Sequence, residues 1–296
     1  MRIVSLLPAA TEIVYALGLG EQLVGVTFEC DEPADARLTK TVVVGGRDTR
    51  GMTPGEIDAY VLEMSDARAG LYTLHTDALA DLAPDVVLTQ DLCRVCALPA
   101  GNVTAALDHL GCSADVITYD PHTLDDVLGG IVAIGEKLGA RDRADELIGG
   151  LRERLDAIRQ AVADRPCPRV AVIEWVDPPF TAGHWVPDLV TAAGGIPVSA
   201  VPGGRSAATT WETIAAEQPD IALVAPCGFR LDDASGQAKV VVDALPGIAV
   251  WALDGDGLVV RPGPRLVSGV EAIAAALHPD AVPPAPLNAL RRIHSG

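Results

Sequence analysis

Short apolar stretches alternate with segments of helical periodicity through the first part of the chain. Such alternation is typical of parallel strands joined by helices. The first predicted helix is followed by Gly18, and glycine is the usual residue at a helix end. The predicted strands span 3–7, 24–28, 84–89 and 115–119, and the predicted helices span 9–17, 55–69, 76–82 and 103–110.

The pattern changes between residues 123 and 164, where apolar residues recur at helical spacing. This spacing predicts one long helix, or two helices with a break near Gly139. After the Pro-Cys-Pro segment at 166–168 the alternation resumes, with a strand at 170–175 and a helix at 187–193. The second half also repeats a Pro-Asp motif of the first half, since 82–88 corresponds to 217–223.

These patterns predict an α/β fold with two parallel-sheet, Rossmann-like lobes joined by one long backbone helix. The predicted boundaries are 1–121 for the first lobe, 122–165 for the backbone helix and 166–296 for the second lobe. A length of 296 residues favours about two domains, and an apolar fraction of 49% is enough for two cores.

Net charge and the N-terminal sequence narrow the classes of partner and the location. A net charge of -18 argues against nucleic acid and anionic membranes as partners, because both require a basic face. The apolar N-terminal run is interrupted by Pro8 and Glu12, so it predicts a first strand and not a secretion signal. No run reaches the roughly 18 apolar residues that span a bilayer, so no membrane insertion is predicted. The expected location is the cytoplasm.

The cysteines are the first candidate for chemistry. In a cytoplasmic chain, thiols stay reduced and structural disulfides are not expected. Ligands of open parallel sheets bind beyond the carboxyl ends of the strands, and four of the six cysteines follow predicted strands. They are Cys30, Cys93, Cys96 and Cys227.

Four converging thiolates would suit tetrahedral zinc or a [4Fe-4S] cluster. Two alternatives remain open: a redox dithiol of Cys93 and Cys96, and ordinary packing of the thiols in the core. Cys112 and Cys167 are assigned no chemistry, because one precedes a strand and the other lies in a proline-rich linker.

A second candidate site is the aromatic and proline-rich loop predicted after the strand at 170–175. An apolar rim beside an imidazole suits a large planar ligand such as a corrin, whose cobalt accepts a nitrogen donor. The alternative for the imidazole is a capping or packing role at the helix start. The residues of this candidate site are Trp175, Pro178, Pro179, Phe180, His184 and Trp185.

Several polar residues extend the candidate ligand site. Glu174 stands beside Asp177, and two carboxylates can act as acid and base, or they can be solvated loop charges. Arg205 is one of few positive groups in an acidic chain and would pair with ligand carboxylates or phosphates. The glycines match no nucleotide-binding motif. Further predicted ligand contacts are Glu29, Tyr72 and Gln90.

This plan and the opening Ser-Leu-Leu-Pro-Ala-Ala-Thr-Glu segment at 5–12 resemble the helical-backbone, class III, ABC-transporter substrate-binding proteins. That class includes vitamin B12 and iron-siderophore binders. The chain is most similar to a cytosolic branch described as cobalamin-binding-like. The resemblance implies a rigid interlobe helix and a ligand clamped between the lobes. The segments that carry it are 28–31, 90–96, 174–180, 182–187 and 226–229.

The sequence therefore predicts a cytosolic receptor for a metal-containing ligand, either a corrinoid such as cobalamin or an iron complex. The alternative is a metallocluster protein that holds an iron–sulfur cluster or zinc through its four cysteines, with a redox or carrier role. No catalytic residue is assigned, and binding is favoured over catalysis. A cytosolic acceptor protein of unknown kind would receive the ligand.

Overall fold

A computed structural model describes residues 1–49, 51–66, 71–92 and 99–296. The chain forms two compact units. The first unit consists of Met1–Asp120 with Gly129–Leu147, and the second consists of Pro121–Leu128 with Ile148–Gly296. The three-part division made from the sequence stays a prediction.

The described part of the first unit is built on one six-stranded sheet. Its strands are β1 (Ile3–Ser5), β2 (Leu23–Thr27), β3 (Thr41–Gly46), β4 (Tyr72–Leu74), β5 (Val86–Thr89) and β6 (Asp115–Thr118). The strand order is β4-β3-β2-β1-β5-β6. All neighbours are parallel except β4, which runs antiparallel to β3. Every residue of β1 and β5 is buried, as expected for central strands of a parallel sheet covered on both faces.

Helices connect these strands and complete the core of the first unit. Val4 and Val87 of the sheet pack in one buried cluster with Leu79, Val103 and Leu107 of the helices. The helix before β6 ends at Gly111, whose φ of 67° is the left-handed conformation that glycine adopts at helix ends. The helices are α1 (Pro8–Ala16), α2 (Ala36–Thr39), α3 (Pro54–Asp66), α4 (Thr76–Leu82) and α5 (Ala100–Leu110).

Two helices follow β6, and the break near Gly139 is confirmed. Helix α6 spans Leu124–Lys137 and helix α7 spans Arg141–Val162. Gly139 lies between them with a φ of 68°, a conformation that a residue with a Cβ adopts only at a cost. The alternative of one uninterrupted helix is therefore wrong.

The second unit contains an eight-stranded sheet among its described residues. Its strands are β7 (Arg169–Val176), β8 (Pro179–His184), β9 (Ile196–Val198), β10 (Ala200–Pro202), β11 (Ala207–Ala208), β12 (Ile221–Val224), β13 (Ala249–Leu253) and β14 (Leu290–Ser295). The main order is β10-β8-β7-β12-β13-β14, with β9 beside β7 and β11 beside β8. Strands β7, β12 and β13 are parallel, whereas β8 runs antiparallel to β7 and β14 antiparallel to β13.

One core cluster of the second unit lies between this sheet and helix α10 (Leu231–Ala244). Leu231, Ala234, Ala238 and Val241 form one face of that helix and pack with buried residues of β7, β12 and β13. The helices of the second unit after α7 are α8 (Val186–Ala192), α9 (Trp211–Ala216), α10 (Leu231–Ala244), α11 (Gly255–Leu258) and α12 (Leu266–Leu277).

The Pro-Asp motif makes the same hydrogen bonds in both units, and we call this arrangement the Pro-Asp connection. The Asp85 carboxylate accepts the backbone N–H of Arg2 at 2.6 Å, and the Asp220 carboxylate accepts that of Arg169 at 2.7 Å. The backbone N–H of each aspartate in turn donates to the carbonyl of the same arginine, at 2.9 Å and 2.8 Å. The residue before the proline has a positive φ in both copies, 41° and 48°. The sequence echo therefore encodes a repeated connection between a helix end and two neighbouring strands.

The α/β fold class with two mostly parallel sheets is confirmed. The aromatic and proline-rich loop predicted after β7 is wrong in part, because Pro179 and Phe180 begin strand β8 and pair with Val176 and Trp175. Asp177 and Pro178 form the turn of the hairpin, and Pro179 takes the first position of β8, one of the few strand positions that tolerate proline. In the described part of the chain, no helix has the length and apolar character needed to cross a membrane.

Candidate functional site

Glu174, near the end of β7, joins two segments of the second unit. One carboxylate oxygen accepts the backbone N–H of Gly183 at 3.1 Å, and the other accepts the hydroxyl proton of Ser206. The backbone of His184, the last residue of β8, binds the segment that contains Ser206. Its N–H donates to the Gly204 carbonyl at 2.5 Å, and its carbonyl accepts the N–H of Gly203 at 3.0 Å. We call residues 203–206 the clasp loop.

His184 and His122 meet beside the clasp loop. Their ring centroids are 6.1 Å apart. Nδ1 of His122 lies 2.9 Å from the Gly203 carbonyl oxygen, and only a protonated Nδ1 can donate to a carbonyl. In the neutral ring this places the free lone pair on Nε2. His184 has a φ of 49°, an uncommon left-handed conformation for a residue with a side chain.

The Nε2 atom of His184 is buried and has no hydrogen-bond partner among the residues that the structure describes. Burial lowers the pKa of His184, and the neighbouring His122 and Arg205 lower it further. A lowered pKa favours the neutral imidazole, which is the form that donates a nitrogen lone pair to a metal. Nearly all buried polar atoms have a partner, so an exception calls for an explanation.

An aromatic pair lies near the loops that follow β7 and β12. The rings of Trp175 and Phe229 have centroids 5.7 Å apart, and Trp175 donates its indole N–H to the Asp177 carbonyl at 3.1 Å. Both rings are partly exposed. The N–H of Cys227 donates to the Glu174 carbonyl at 3.3 Å, which ties the two loops together. The second unit thus presents an apolar aromatic surface at the carboxyl ends of its parallel strands.

The other predicted residues of the second unit occupy different environments. Trp185 is buried, with 6% of its surface exposed, and donates its indole N–H to the Val259 carbonyl at 2.8 Å. Phe180 is partly buried opposite Trp175 in the β7–β8 ladder. Arg205 is exposed on the clasp loop. The contacts of Trp185 are those of a residue that packs inside the unit.

In the first unit, Glu29 and Tyr72 come together. The Tyr72 hydroxyl lies 3.5 Å from a Glu29 carboxylate oxygen, and the Tyr72 ring packs 6.2 Å from that of Phe28. A cavity of about 380 Å³ lies at the end of β3, where the Arg47 guanidinium stands 4.6 Å over the Tyr60 ring. The cavity is lined by Gly45, Gly46, Arg47, Tyr60, Met64, Leu71, Thr73 and His75.

Gln90 is buried, and its side-chain amide donates to the Tyr119 carbonyl at 3.1 Å. Beside it, the Asp120 carboxylate accepts the backbone N–H groups of Asp91 and Leu92 at 2.6 and 2.8 Å. These bonds hold together the ends of β5 and β6. The described contact of Gln90 is therefore structural, and its role in ligand binding stays a prediction.

The structure describes two of the four candidate metal-binding cysteines, one in each unit. Cys30 is fully buried, and its sulfur lies 3.0 Å from the Thr11 hydroxyl and 3.5 Å from that of Thr27. Cys227 is exposed. Cys93 and Cys96 lie outside the described residues.

Within the part of the chain that the structure describes, no group of three or more histidine, cysteine, aspartate or glutamate residues could hold a metal ion. The described residues therefore give the iron–sulfur and zinc hypothesis no support.

Comparison with known proteins places this arrangement in a family. The model of the family described as "Periplasmic binding protein" matches residues 3–252. The chain belongs to the periplasmic binding protein family. This confirms the resemblance to the substrate-binding proteins that the sequence motifs indicated.

Relatives in this family share about a quarter of their residues with the chain. The Vitamin B12-binding protein of Vibrio cholerae is 26% identical over 280 residues, which cover 93% of this chain and 88% of that protein. The uncharacterized ABC transporter substrate-binding lipoprotein YvrC of Bacillus subtilis is 26% identical over 293 residues, 94% of this chain and 80% of that protein.

A solved structure shows the same fold. The periplasmic heme-binding protein RhuT from Roseiflexus superposes with a TM-score of 0.69 at 22% identity, covering 95% of this chain and 98% of that one.

The predicted cytoplasmic location is wrong in light of this family. YvrC is a lipoprotein, and RhuT and the vitamin B12-binding protein solved from Vibrio cholerae are periplasmic. The prediction rested on the interrupted apolar run at the N-terminus, which the structure places in the buried strand β1 and in α1. Burial in a sheet explains why the run is apolar, but it carries no information on the compartment.

His122 belongs to the candidate site, but the sequence patterns did not indicate it. It contacts the Gly203 carbonyl across 81 positions of sequence, and nothing in its local segment marks that contact. Ser206, the neighbour of the predicted Arg205, was also missed, although its hydroxyl donates to Glu174. Both contacts depend on how β8 and the clasp loop pack, which local patterns do not specify.

Proposed function

We propose that this protein is a substrate-binding protein for a metal tetrapyrrole, either a corrinoid or a heme, and that His184 donates a nitrogen to the metal. The observation that carries the proposal is the buried Nε2 atom of His184, which has no partner among the described residues. The names of two relatives support the ligand class, because one is a vitamin B12-binding protein and the other a heme-binding protein.

The state of the imidazole supports a role as a donor. A metal competes with a proton for the lone pair of the ring nitrogen, so a lowered pKa favours the metal. Burial lowers the pKa of His184. Cobalt in a corrin and iron in a heme both accept a nitrogen ligand at an axial position.

The neighbouring residues match the rest of such a ligand. The partly exposed rings of Trp175 and Phe229 offer an apolar surface for a flat macrocycle. Arg205 offers an exposed guanidinium, which would pair with a propionate of a heme or with the phosphate of a cobalamin. The predicted contacts of Glu29 and Tyr72 in the first unit are part of this proposal.

The test is a spectroscopic titration of the purified protein with hemin and, separately, with hydroxocobalamin. We expect one of them to bind with a shifted absorption spectrum. His184→Ala should weaken that binding by about tenfold, or about 1.4 kcal/mol, and should abolish the shift. His294→Ala, which changes an exposed histidine of β14, is the control and should bind like the wild type.

Two results would overturn the proposal. One is a protein that binds neither compound. The other is a His184→Ala variant whose affinity and spectrum match those of the wild type.

A further inference from the structure

The two carboxylate oxygens of Glu174 bind two separate segments. Gly183, nine positions away, donates its backbone N–H to one oxygen, and Ser206, 32 positions away, donates its hydroxyl proton to the other. A carboxylate in which each oxygen accepts a different donor fixes both donors in place and forms stronger bonds than a neutral acceptor would. Glu174 therefore fastens the clasp loop to strand β8.

The clasp loop in turn holds both histidines. The Gly203 carbonyl accepts from Nδ1 of His122 at 2.9 Å, and the Gly204 carbonyl accepts the N–H of His184 at 2.5 Å. The loop packs so closely on Gly183 that a side chain there would collide with the backbone of residues 204–206. A change in the attachment of the loop is therefore transmitted to both rings.

We infer that Glu174 is a positioning residue for the ligand site: its carboxylate fixes the clasp loop on β8 and thereby holds the imidazoles of His184 and His122. The inference deepens the proposed function and rests on it for the identity of the ligand. It differs from the prediction made from the sequence, in which Glu174 contacts the ligand or acts as an acid or base. Its carboxylate is already engaged by Gly183 and Ser206.

Two substitutions at Glu174 separate geometry from charge. In Glu174→Gln, the amide oxygen still accepts from Gly183 and the amide N–H₂ can donate to the Ser206 hydroxyl, so the attachment survives without the charge. Glu174→Ala removes both bonds. Ser206→Ala removes one of them and leaves the carboxylate in place. Asp243→Ala removes an exposed carboxylate from α10 and serves as the matched control.

The primary measurement is the NMR spectrum of the histidine rings in the ligand-free protein, assigned with single histidine variants. We expect Glu174→Ala to shift the ring signals of both His122 and His184 and to leave those of His294 unchanged. Ser206→Ala should give a smaller shift of the same signals. Glu174→Gln and Asp243→Ala should resemble the wild type.

Affinity for the compound that binds in the titration is the second measurement. Loss of the attachment should weaken binding of this compound about tenfold in Glu174→Ala. Glu174→Gln keeps the attachment and should bind the compound with close to wild-type affinity. Far-UV circular dichroism establishes that each variant is folded, and Ser206→Ala provides the test if Glu174→Ala does not fold.

The outcomes are distinguishable from those of the proposed function. If folded Glu174→Ala leaves both histidine signals unchanged, the inference is wrong whatever the protein binds. It is also wrong if Glu174→Gln is as damaging as Glu174→Ala, because the charge would then be the important property. If the rings shift as expected but binding does not depend on His184, the positioning holds and the ligand proposal fails.

Discussion

Replacement of Cys30 by alanine tests whether this thiol is a core residue or a metal ligand. The side chain is fully buried in the first unit, and its sulfur contacts the hydroxyls of Thr11 and Thr27. Removing the buried sulfur costs about 1 kcal/mol in transfer and packing energy. Leaving the Thr11 hydroxyl with one partner fewer costs about 1 kcal/mol more. We therefore expect a destabilisation of about 2 kcal/mol.

Urea unfolding followed by far-UV circular dichroism is the suitable assay. All four tryptophans lie in the second unit, at positions 175, 185, 211 and 251, so their fluorescence would not report on the first unit. Cys227→Ala is the matched control, because that cysteine is exposed. Its free energy of unfolding should stay within about 0.5 kcal/mol of the wild type.

The measurement has a clear refuting result. If Cys30→Ala is as stable as Cys227→Ala, the thiol does not make the core contacts described above. Metal analysis of the same samples gives a second test. Equal metal content in the wild type and Cys30→Ala fits a core thiol, and a stoichiometric loss of zinc or iron from Cys30→Ala would contradict it.

Two further predictions concern the second unit. Trp185→Phe removes the donor to the buried Val259 carbonyl, so thermal unfolding should show a loss of about 1 to 2 kcal/mol. Trp175→Phe, at a partly exposed site, should lose less. Hydrogen bonds lower the pKa of Asp126: the largest effect comes from the Thr123 hydroxyl, and the next comes from the backbone N–H of His122. The charged carboxylate therefore stabilises the fold above its ordinary pKa, and this stability is lost as the pH falls through the folded-state value. Urea midpoints measured from about pH 5 down to pH 2 should accordingly fall less in Asp126→Asn than in the wild type.

Much of the fold could be predicted because its strands and helices carry strong local patterns. The helix predicted at 76–82 coincides with α4, and the strand predicted at 170–175 lies within β7. Strand β3, by contrast, was not predicted, although Thr41–Gly46 includes three consecutive valines. The sequence pattern predicts a loop in place of strand β8, because consecutive prolines such as Pro178 and Pro179 are typical of turns, whereas Pro179 and Phe180 pair with β7 in a hairpin.

The candidate site was less predictable because its geometry depends on contacts between distant segments. His184 was a candidate from the sequence because it lies beside aromatic residues. The sequence contains no local sign that its ring would lie against His122 or that the clasp loop would hold both. The position of Cys30 after β2 predicts a metal ligand, and the pattern gives no sign that its sulfur would lie 3.0 Å from the Thr11 hydroxyl inside the unit. Its role as a ligand stays a prediction.

The Pro-Asp connection, which is repeated in both units, bears on the origin of the chain. In both halves an aspartate carboxylate binds the backbone N–H of an arginine at the start of the first strand, and the residue before the proline has a positive φ. Duplication of an ancestral half would leave such a repeat. After such an event each copy could diverge on its own. One copy would gain a histidine at the end of β8, and the other copy would gain a glutamate and a tyrosine at its own strand ends. The Pro-Asp connection would then be the inherited part, and the residues proposed to contact the ligand would be the acquired part.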